Sequence, residues 1–499
     1  MLIIKKMKKL LYISIAAIAL TSCQPEFNDP VDEQGFYSSG DADFSNFVAV
    51  GNSLTAGYAD GALYLNGQQN SFPSMLAIQF KHVGGGDFTQ PLVNDNFGGL
   101  LANGNQITDN RRVIVLGTDG SQTPEILDGT PTTDISNVLE GPFNNMGVPG
   151  SKIFHLVANG YGNIANLELG AANPYFVRMA STTDASIIED AASQNPTFFS
   201  LWIGNNDILS YATSGGIGVD QSGNLDPTTY GENDITDPNV FAKVYNDLLT
   251  ALTNGGAKGV VANIPNVTTI PYFTTVPYNA IPLDAQTAGV VNQAYAQYNG
   301  GLLQAQSFGL ITAEEVAQRT IQFSAGQNAV VILDEDLTDL TGINPGLTNM
   351  RQATAEDLLP LTTSSILGTL ADPNNPQSII GVAVPLTDGQ ALTATEIEMV
   401  TNAQTAYNTT IEALATQYDL AFVDVEALMN QLANGGISFD GGNITNTFAT
   451  GGAFSLDGVH PTQRGYAVIA NQIINAINEK YNATIPALNP GAYPTIFVK

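Results

Sequence analysis

The sequence predicts an α/β protein built on a parallel sheet with helices on both faces. Three observations carry that expectation. Short, mainly apolar runs read as strands buried on both sides: Phe47-Val-Ala-Val50, Thr197-Phe-Phe-Ser-Leu-Trp-Ile203, Gly259-Val-Val-Ala-Asn-Ile264 and Asp419-Leu-Ala-Phe-Val-Asp-Val425. Between them lie stretches with apolar residues at helical spacing, at 71–81, 240–252 and 462–481. The two patterns alternate along the chain, and alternation of this kind signals helical crossovers between parallel strands.

Taken in order, Phe47–Val50 ends in Gly51, where a strand can turn sharply. Ser71–Lys81 places Phe72, Met75, Leu76 and Phe80 on one side of a helix. Residues 83–139 are rich in Gly, Asp and Thr, with one strand-like run, Arg112–Leu116, and read as an insertion. Val240–Leu252 is amphipathic and stops at Asn254-Gly255-Gly256. Pro265 ends the third strand. Residues 306–396 are acidic, Thr-rich and dotted with proline, and read as a second insertion, a cap or lobe. Asn292–Asn299 weakly echoes Asn402–Asn408, but the flanks do not match, so no repeat is inferred. Thr462–Tyr481 closes the domain with Tyr466, Ile469, Ala470, Ile473, Ile474 and Ile477 on one face. The expected organisation is one domain over 44–485 with insertions at about 83–139 and 306–396, and a tail over 486–499.

The N-terminus reads as an export signal over residues 1–22. Lys5, Lys6, Lys8 and Lys9 precede an apolar stretch, Leu10–Leu20, too short to span a bilayer. It leads into Leu20-Thr21-Ser22-Cys23, which resembles a bacterial lipobox, in which the cysteine becomes the lipidated first residue. Cys23 is the only cysteine of the chain, so no intrachain disulfide is available and the fold rests on its core. Residues 23–43 are polar and aperiodic, as expected of a flexible tether. Gln24 after the cysteine resembles the sorting pattern of outer-membrane lipoproteins in two-membrane bacteria. The expected location is therefore the bacterial cell envelope, with the membrane as a partner through Cys23.

The 499 residues hold 16 Lys and Arg against 46 Asp and Glu, a formal charge of −30. Removal of the four N-terminal lysines makes the remainder more acidic still. Nucleic acid is repelled by such a surface and is excluded as a partner. Unaided binding to anionic lipid headgroups is disfavoured for the same reason.

Four short motifs carry chemistry. Gly51-Asn52-Ser53-Leu54 sets a serine directly after a buried strand, where α/β sheets place their sites. Asn145-Met146-Gly147-Val148-Pro149-Gly150-Ser151 reads as a Gly-rich loop whose N–H groups can face an oxyanion. Gly204-Asn205-Asn206-Asp207 ends a strand with an amide that can donate to developing negative charge. Asp457-Gly458-Val459-His460-Pro461 puts a carboxylate three residues before a histidine. On a tight loop it can bind Nδ1–H and leave Nε2 free as a base. Alone, each has an ordinary reading: a turn, a loop, an Asx cap, a surface histidine. His82 and His155 have no such company and are read as structural.

In this order the four motifs resemble the GDSL or SGNH hydrolase family, over roughly 44–82, 140–305 and 397–482. The resemblance implies a three-layer, flavodoxin-like fold and a serine esterase or lipase mechanism. It implies Ser53 as nucleophile, His460 as general base, Asp457 as its orienter, and an oxyanion hole from the N–H groups of Ser53 and Gly150 and the side chain of Asn206. It needs no metal or other cofactor, and no residue cluster has metal-ligand spacing. Two positions depart from the family pattern: Asn52 stands where the family has Asp, and Asn205 where it usually has Gly. The first is expected to alter loop hydrogen bonding and the second to narrow the acyl pocket. The expected partner is an ester substrate, either an acyl lipid or an acetylated glycan. The apolar, Pro-dotted segment from Ile264 to Pro282, placed to line an acyl groove, mildly favours the first. Two other readings stay open: a surface-binding lipoprotein that has lost activity, and a cytoplasmic enzyme with an accidental N-terminal match.

Overall fold

The structure is a computed structural model that describes residues 36–117, 120 and 122–499. The expected signal peptide, Cys23 and the first part of the tether lie outside the described residues.

The chain runs through β1 (Phe47–Gly51), α1 (Ser53–Ala56), α2 (Phe72–Phe80), β2 (Asn145–Gly147), α3 (Ile187–Ala192), β3 (Phe198–Trp202) and α4 (Asn206–Thr213). It continues through α5 (Pro238–Thr253), β4 (Lys258–Ala262), α6 (Ala285–Ser307), α7 (Ala394–Gln417), β5 (Ala421–Val423), α8 (Val425–Ala433) and α9 (Gln463–Tyr481). The five strands form one parallel sheet in the order β2-β1-β3-β4-β5. The order reverses beside β1, and in such sheets the crevice at that point is where ligands bind.

Alternation along the strands builds the three layers. Val48, Val50, Phe199, Leu201 and Val261 face one core, shared with α3, α4, α5 and α7. Phe47, Ala49, Phe198, Trp202, Val260 and Ala262 face the other, shared with α2 and α9. The period of two sends neighbours to opposite faces, and both faces are covered, so whole strands are apolar.

Strand β2 is absent from the strands expected from sequence. Asn145-Met146-Gly147 pairs with β1 in register, Ala49 opposite Asn145 and Gly51 opposite Gly147. It is three residues long and carries one apolar side chain, which is too little for a periodic signal.

The boundaries of the insertions also differ from expectation. A separate hydrophobic core joins Val276, Ile281, Tyr295, Leu302, Val331, Leu359 and Leu386. This lobe therefore begins near 276 and takes in α6, whereas the expected boundary at 306 falls within that helix. α6 buries Ala288, Tyr295, Tyr298, Leu302 and Ala305 against the lobe and not against the sheet. By contrast, Val93, Leu100 and Ile135 from 83–139 join the main core directly. Ser38–Asp43, expected in the tether, is docked: the Asp41 N–H donates to Tyr481 O at 2.7 Å, and Ala42 is buried. The tail is docked too, where the Ile114 N–H donates to Phe497 O at 2.9 Å.

The polar helices use their amides as clamps. Asn292 and Asn299 of α6 each accept from one backbone N–H and donate to the carbonyl of the same residue, Phe323 and Ile321. Asn471 and Asn478 of α9 hold Leu488 and Ile485 in the same way. A side-chain amide offers one donor and one acceptor side, so it substitutes for a strand partner.

Candidate active site

Strand β1 delivers Ser53 through a turn that only glycine permits. A Cβ at Gly51 would lie 2.2 Å from Thr55 Oγ1 and 2.4 Å from Trp202 O. Asn52 caps α1 by accepting from the Leu54 N–H at 3.1 Å. Gly57, at φ +84°, closes the turn. Ser53 therefore occupies the first helical position, where no intrahelical acceptor exists for its N–H.

The loop before α9 supplies the partners. His460 Nε2 lies 2.9 Å from Ser53 Oγ, and His460 Nδ1 lies 2.9 Å from Asp457 Oδ2. The same carboxylate is held from several sides. Its Oδ2 also accepts from the Gly61 N–H at 2.9 Å. Its Oδ1 accepts from the Val459 and His460 N–H groups at 2.9 and 2.8 Å and from the Ser455 hydroxyl at 3.1 Å. Burial alone would push the Asp457 carboxyl up, but the His460 ring and these donors outweigh it and hold it well below the ordinary carboxylate range. The Tyr58 ring packs against His460 with centroids 4.7 Å apart.

The remaining candidates come from the ends of β2 and β3. Gly204, at φ +110°, turns the chain into α4, whose first residue is Asn206. One Nδ2 hydrogen of Asn206 donates to Ser151 O at 2.9 Å, leaving the second free. Gly150, at φ +81°, is exposed on a Val148–Ser151 turn, which Asn173 secures by donating to Pro149 O at 2.8 Å. Ser53, Asn206 and His460 line one cavity; Gly150 does not line it and reaches the others through Ser151.

The two departures from the family pattern touch each other: Asn52 Nδ2 donates to Asn205 Oδ1 at 3.4 Å. Asn205 also lines the cavity.

Two clefts meet at Val459 and His460, and the first of them also contains Ser53. One is almost wholly apolar, with Leu54, Trp202, Leu209, Leu428, Met429 and Ile469 in its wall. The other is wider and more polar, and runs between the sheet domain and the lobe past Tyr58, Arg112, Tyr272, Val276 and Leu361. The segment from Ile264 lines both, through Pro265, Val267 and Ile270 in the first and Thr275 and Pro277 in the second.

Two positioning residues escaped sequence reasoning. Asp207, fully buried, accepts from the Ile153 N–H at 3.0 Å and the Thr236 hydroxyl at 2.7 Å, so it ties the Gly150 loop to α4. Burial pushes its carboxyl up to about 6. Asp60 accepts from the Leu456 N–H at 3.1 Å and the Tyr64 hydroxyl at 2.9 Å, tying the loop after α1 to the Asp457 loop. Both stand within or beside motifs visible in the sequence, but only burial reveals their work. His155 is structural: it stacks on Tyr161 at 4.6 Å, accepts from the Lys152 N–H at 3.0 Å, and burial and then Lys152 push it down to about 4.

The class of molecule at this point is an α/β protein with a parallel sheet and a Ser-His-Asp constellation at its switch point. No family model and no curated protein matches the chain. Among solved structures it is similar to LAE5, an alpha/beta hydrolase enzyme from the metagenome of Lake Arreo, Spain. The identity is 10% and the TM-score 0.31, over 88% of this chain and 96% of that one. It is also similar to a mutant of Axe2, an acetylxylan esterase from Geobacillus stearothermophilus, at 10% identity and a TM-score of 0.30, over 87% of this chain and 95% of that one. At that distance the likeness says nothing of this chain's chemistry, which is read from the site itself.

Proposed function

We propose that this chain is a serine ester hydrolase of the GDSL or SGNH type, acting on lipophilic carboxylic esters in the bacterial cell envelope, where lipidated Cys23 holds it on a membrane. The observation that carries the reading is the unbroken relay from Ser53 Oγ to His460 Nε2 and from His460 Nδ1 to Asp457, with 2.9 Å at each step.

The chemistry follows from that arrangement. Ser53 Oγ attacks the ester carbonyl as His460 Nε2 takes its proton, and Asp457 stabilises the imidazolium formed. The carbonyl oxygen becomes an oxyanion facing the Ser53 N–H and the free Nδ2 hydrogen of Asn206; the Gly150 N–H, outside the cavity on the turn that Asn206 holds through Ser151 O, would have to move in to join them. His460 returns its proton to the departing alcohol. Water, activated by His460, then releases the acid and restores Ser53. Loss of one oxyanion donor typically costs about 2.7–4 kcal/mol of barrier.

The clefts support the assignment of substrate ends. The apolar cleft suits an acyl chain, because each buried methylene contributes about 0.8 kcal/mol. The wider, more polar cleft on the Asp457 side of His460 suits the alcohol.

The test is a panel of nitrophenyl esters from two to twelve carbons, run with wild type and Ser53→Ala, beside fluorophosphonate labelling. Wild type hydrolyses chains of eight carbons and labels; the variant does neither. Activity restricted to acetate refutes the lipophilic substrate in favour of O-acetyl groups. Absence of both hydrolysis and labelling in wild type refutes the enzyme. Incorporation of labelled fatty acid at Cys23 tests the anchor.

A further inference from the structure

A second cluster of charged groups lies outside the catalytic cavity, at the far end of α4. One carboxylate oxygen from each of Glu335, Asp388 and Glu396 lies within 4.8 Å of the other two. The three come from different places: Glu335 and Asp388 from turns of the lobe, and Glu396 from the first turn of α7, which packs on the sheet. None of them forms an ion pair among the described residues.

Glu396 is the decisive member. The residue is 2% exposed, and its Oε1 is buried without a hydrogen-bond partner among the described residues. Its Oε2 is used locally, accepting from the Thr393 N–H at 2.6 Å and the Thr393 hydroxyl at 2.9 Å. The chain makes room for the orphaned oxygen: a Cβ at Gly216, just past the end of α4, would lie 1.5 Å from Oε1. A buried carboxyl oxygen with no donor is costly to charge, and burial, with Glu335 and Asp388 beside it, pushes the Glu396 carboxyl up to about 8. A bound cation would supply the partner that Oε1 lacks and favour the charged form.

We propose that Glu335, Asp388 and Glu396 bind a divalent cation of the calcium class, which clamps the lobe to the sheet domain at the end of α4. The donors are all hard oxygens, which select calcium over softer metals. Oxygens on opposite sides of a calcium ion are about 5 Å apart, so the observed spacing fits a shared ion. Three ligands leave further positions for water, as this ion accepts. The sequence hides the site because positions 335, 388 and 396 have no ligand spacing; only the docking of lobe on α7 brings them together.

The clamp has a bearing on the catalytic cavity. α4 is eight residues long, about 12 Å, with Asn206 at one end and the Gly215–Gly216 turn at the other. A Cβ at Gly215 would lie 2.6 Å from Asp388 O, so the lobe already rests on that turn.

The test uses the full chain, stripped with EDTA and then titrated with calcium chloride or, at equal ionic strength, potassium chloride. Melting temperature and calorimetric binding are both read. Calcium should bind at one site and raise the melting temperature by about 3 °C or more at a hundredfold excess over Kd, with no matching rise in potassium. Glu335→Gln and Asp388→Asn, whose side chains reach solvent, should fold normally and bind calcium at least tenfold more weakly. Glu396→Gln, nearly isosteric with the native side chain, should fold and lose the calcium response. Two results overturn the proposal: no calcium effect on wild type, or an equal effect on wild type and Glu335→Gln, which marks general screening of an acidic chain.

Discussion

Replacing Asp457 by Asn tests the relay most sharply, because the amide is nearly isosteric and its consequences can be worked out atom by atom. The carboxylate accepts five hydrogen bonds, two at Oδ2 and three at Oδ1. An amide keeps one accepting oxygen and sets an NH2 group against the donors on the other side. The less costly placement puts NH2 on the Oδ2 side, facing His460 Nδ1 and the Gly61 N–H. His460 can escape by changing tautomer, so that Nδ1 accepts and Nε2 carries the proton. Nε2 then cannot take the proton of Ser53. A wrong tautomer of this kind lowers kcat roughly 10⁴-fold, which is about 5.4 kcal/mol of barrier. The Gly61 N–H is left unpaired, with a stability loss of about 1–3 kcal/mol. The assay is octanoate-ester hydrolysis under saturating substrate, with thermal unfolding alongside. KM should change little, since Asp457 binds no substrate. Activity within tenfold of wild type, in a folded variant, would falsify the role given to Asp457.

Four further outcomes are expected. Asn206→Ala should lower kcat roughly 10²–10³-fold with little change in KM, because its free Nδ2 hydrogen serves the oxyanion and not the ground state; a loss confined to KM contradicts this. Leu428→Trp fills the apolar cleft from a half-buried position, so kcat/KM should drop at least tenfold for octanoate and hold for acetate, and equal losses on both esters would remove the acyl assignment. Arg351 is buried between Asp334 and Asp357 at 2.5 and 2.6 Å, so Arg351→Ala leaves two buried carboxylates unpaired and should destabilise the protein by about 3–5 kcal/mol in urea unfolding; a change under 1 kcal/mol contradicts that reading. Burial pushes Asp60 from its ordinary 3.8 up to about 6, so the native state holds a proton that the unfolded chain has already released between those values. Wild type should therefore lose stability as pH rises from about 4 to 6, by up to about 3 kcal/mol relative to Asp60→Asn. Parallel pH curves for the two proteins would count against it.

The layers and most strands were legible in the sequence because they are written locally. β1, β3 and β4 lie within a residue or two of their expected bounds, as do α2, α5 and α9. β2 was not legible, since three residues with one apolar side chain carry no period. The lobe boundary was misplaced because α6 is a polar helix whose allegiance depends on what Tyr295 and Leu302 meet. The candidate residues Ser53, Asn206, Asp457 and His460 stand out by motif, each at a strand or loop end. Their distances do not, nor does the contact of Asn52 with Asn205, which joins positions 153 residues apart.

The sequence alone determines the alternation of strand and helix, the acidic net charge, and which residue types stand at the strand ends. Tertiary structure decides the rest. It brings His460 across 407 residues to Ser53, buries Asp60 and Asp207 as braces of the candidate-site loops, and gathers Glu335, Asp388 and Glu396 into one cluster. The physical reason is range. Periodicity and turn chemistry act over a few residues, whereas the cost of a buried charge and the reach of a hydrogen bond are set only when distant segments close on one another.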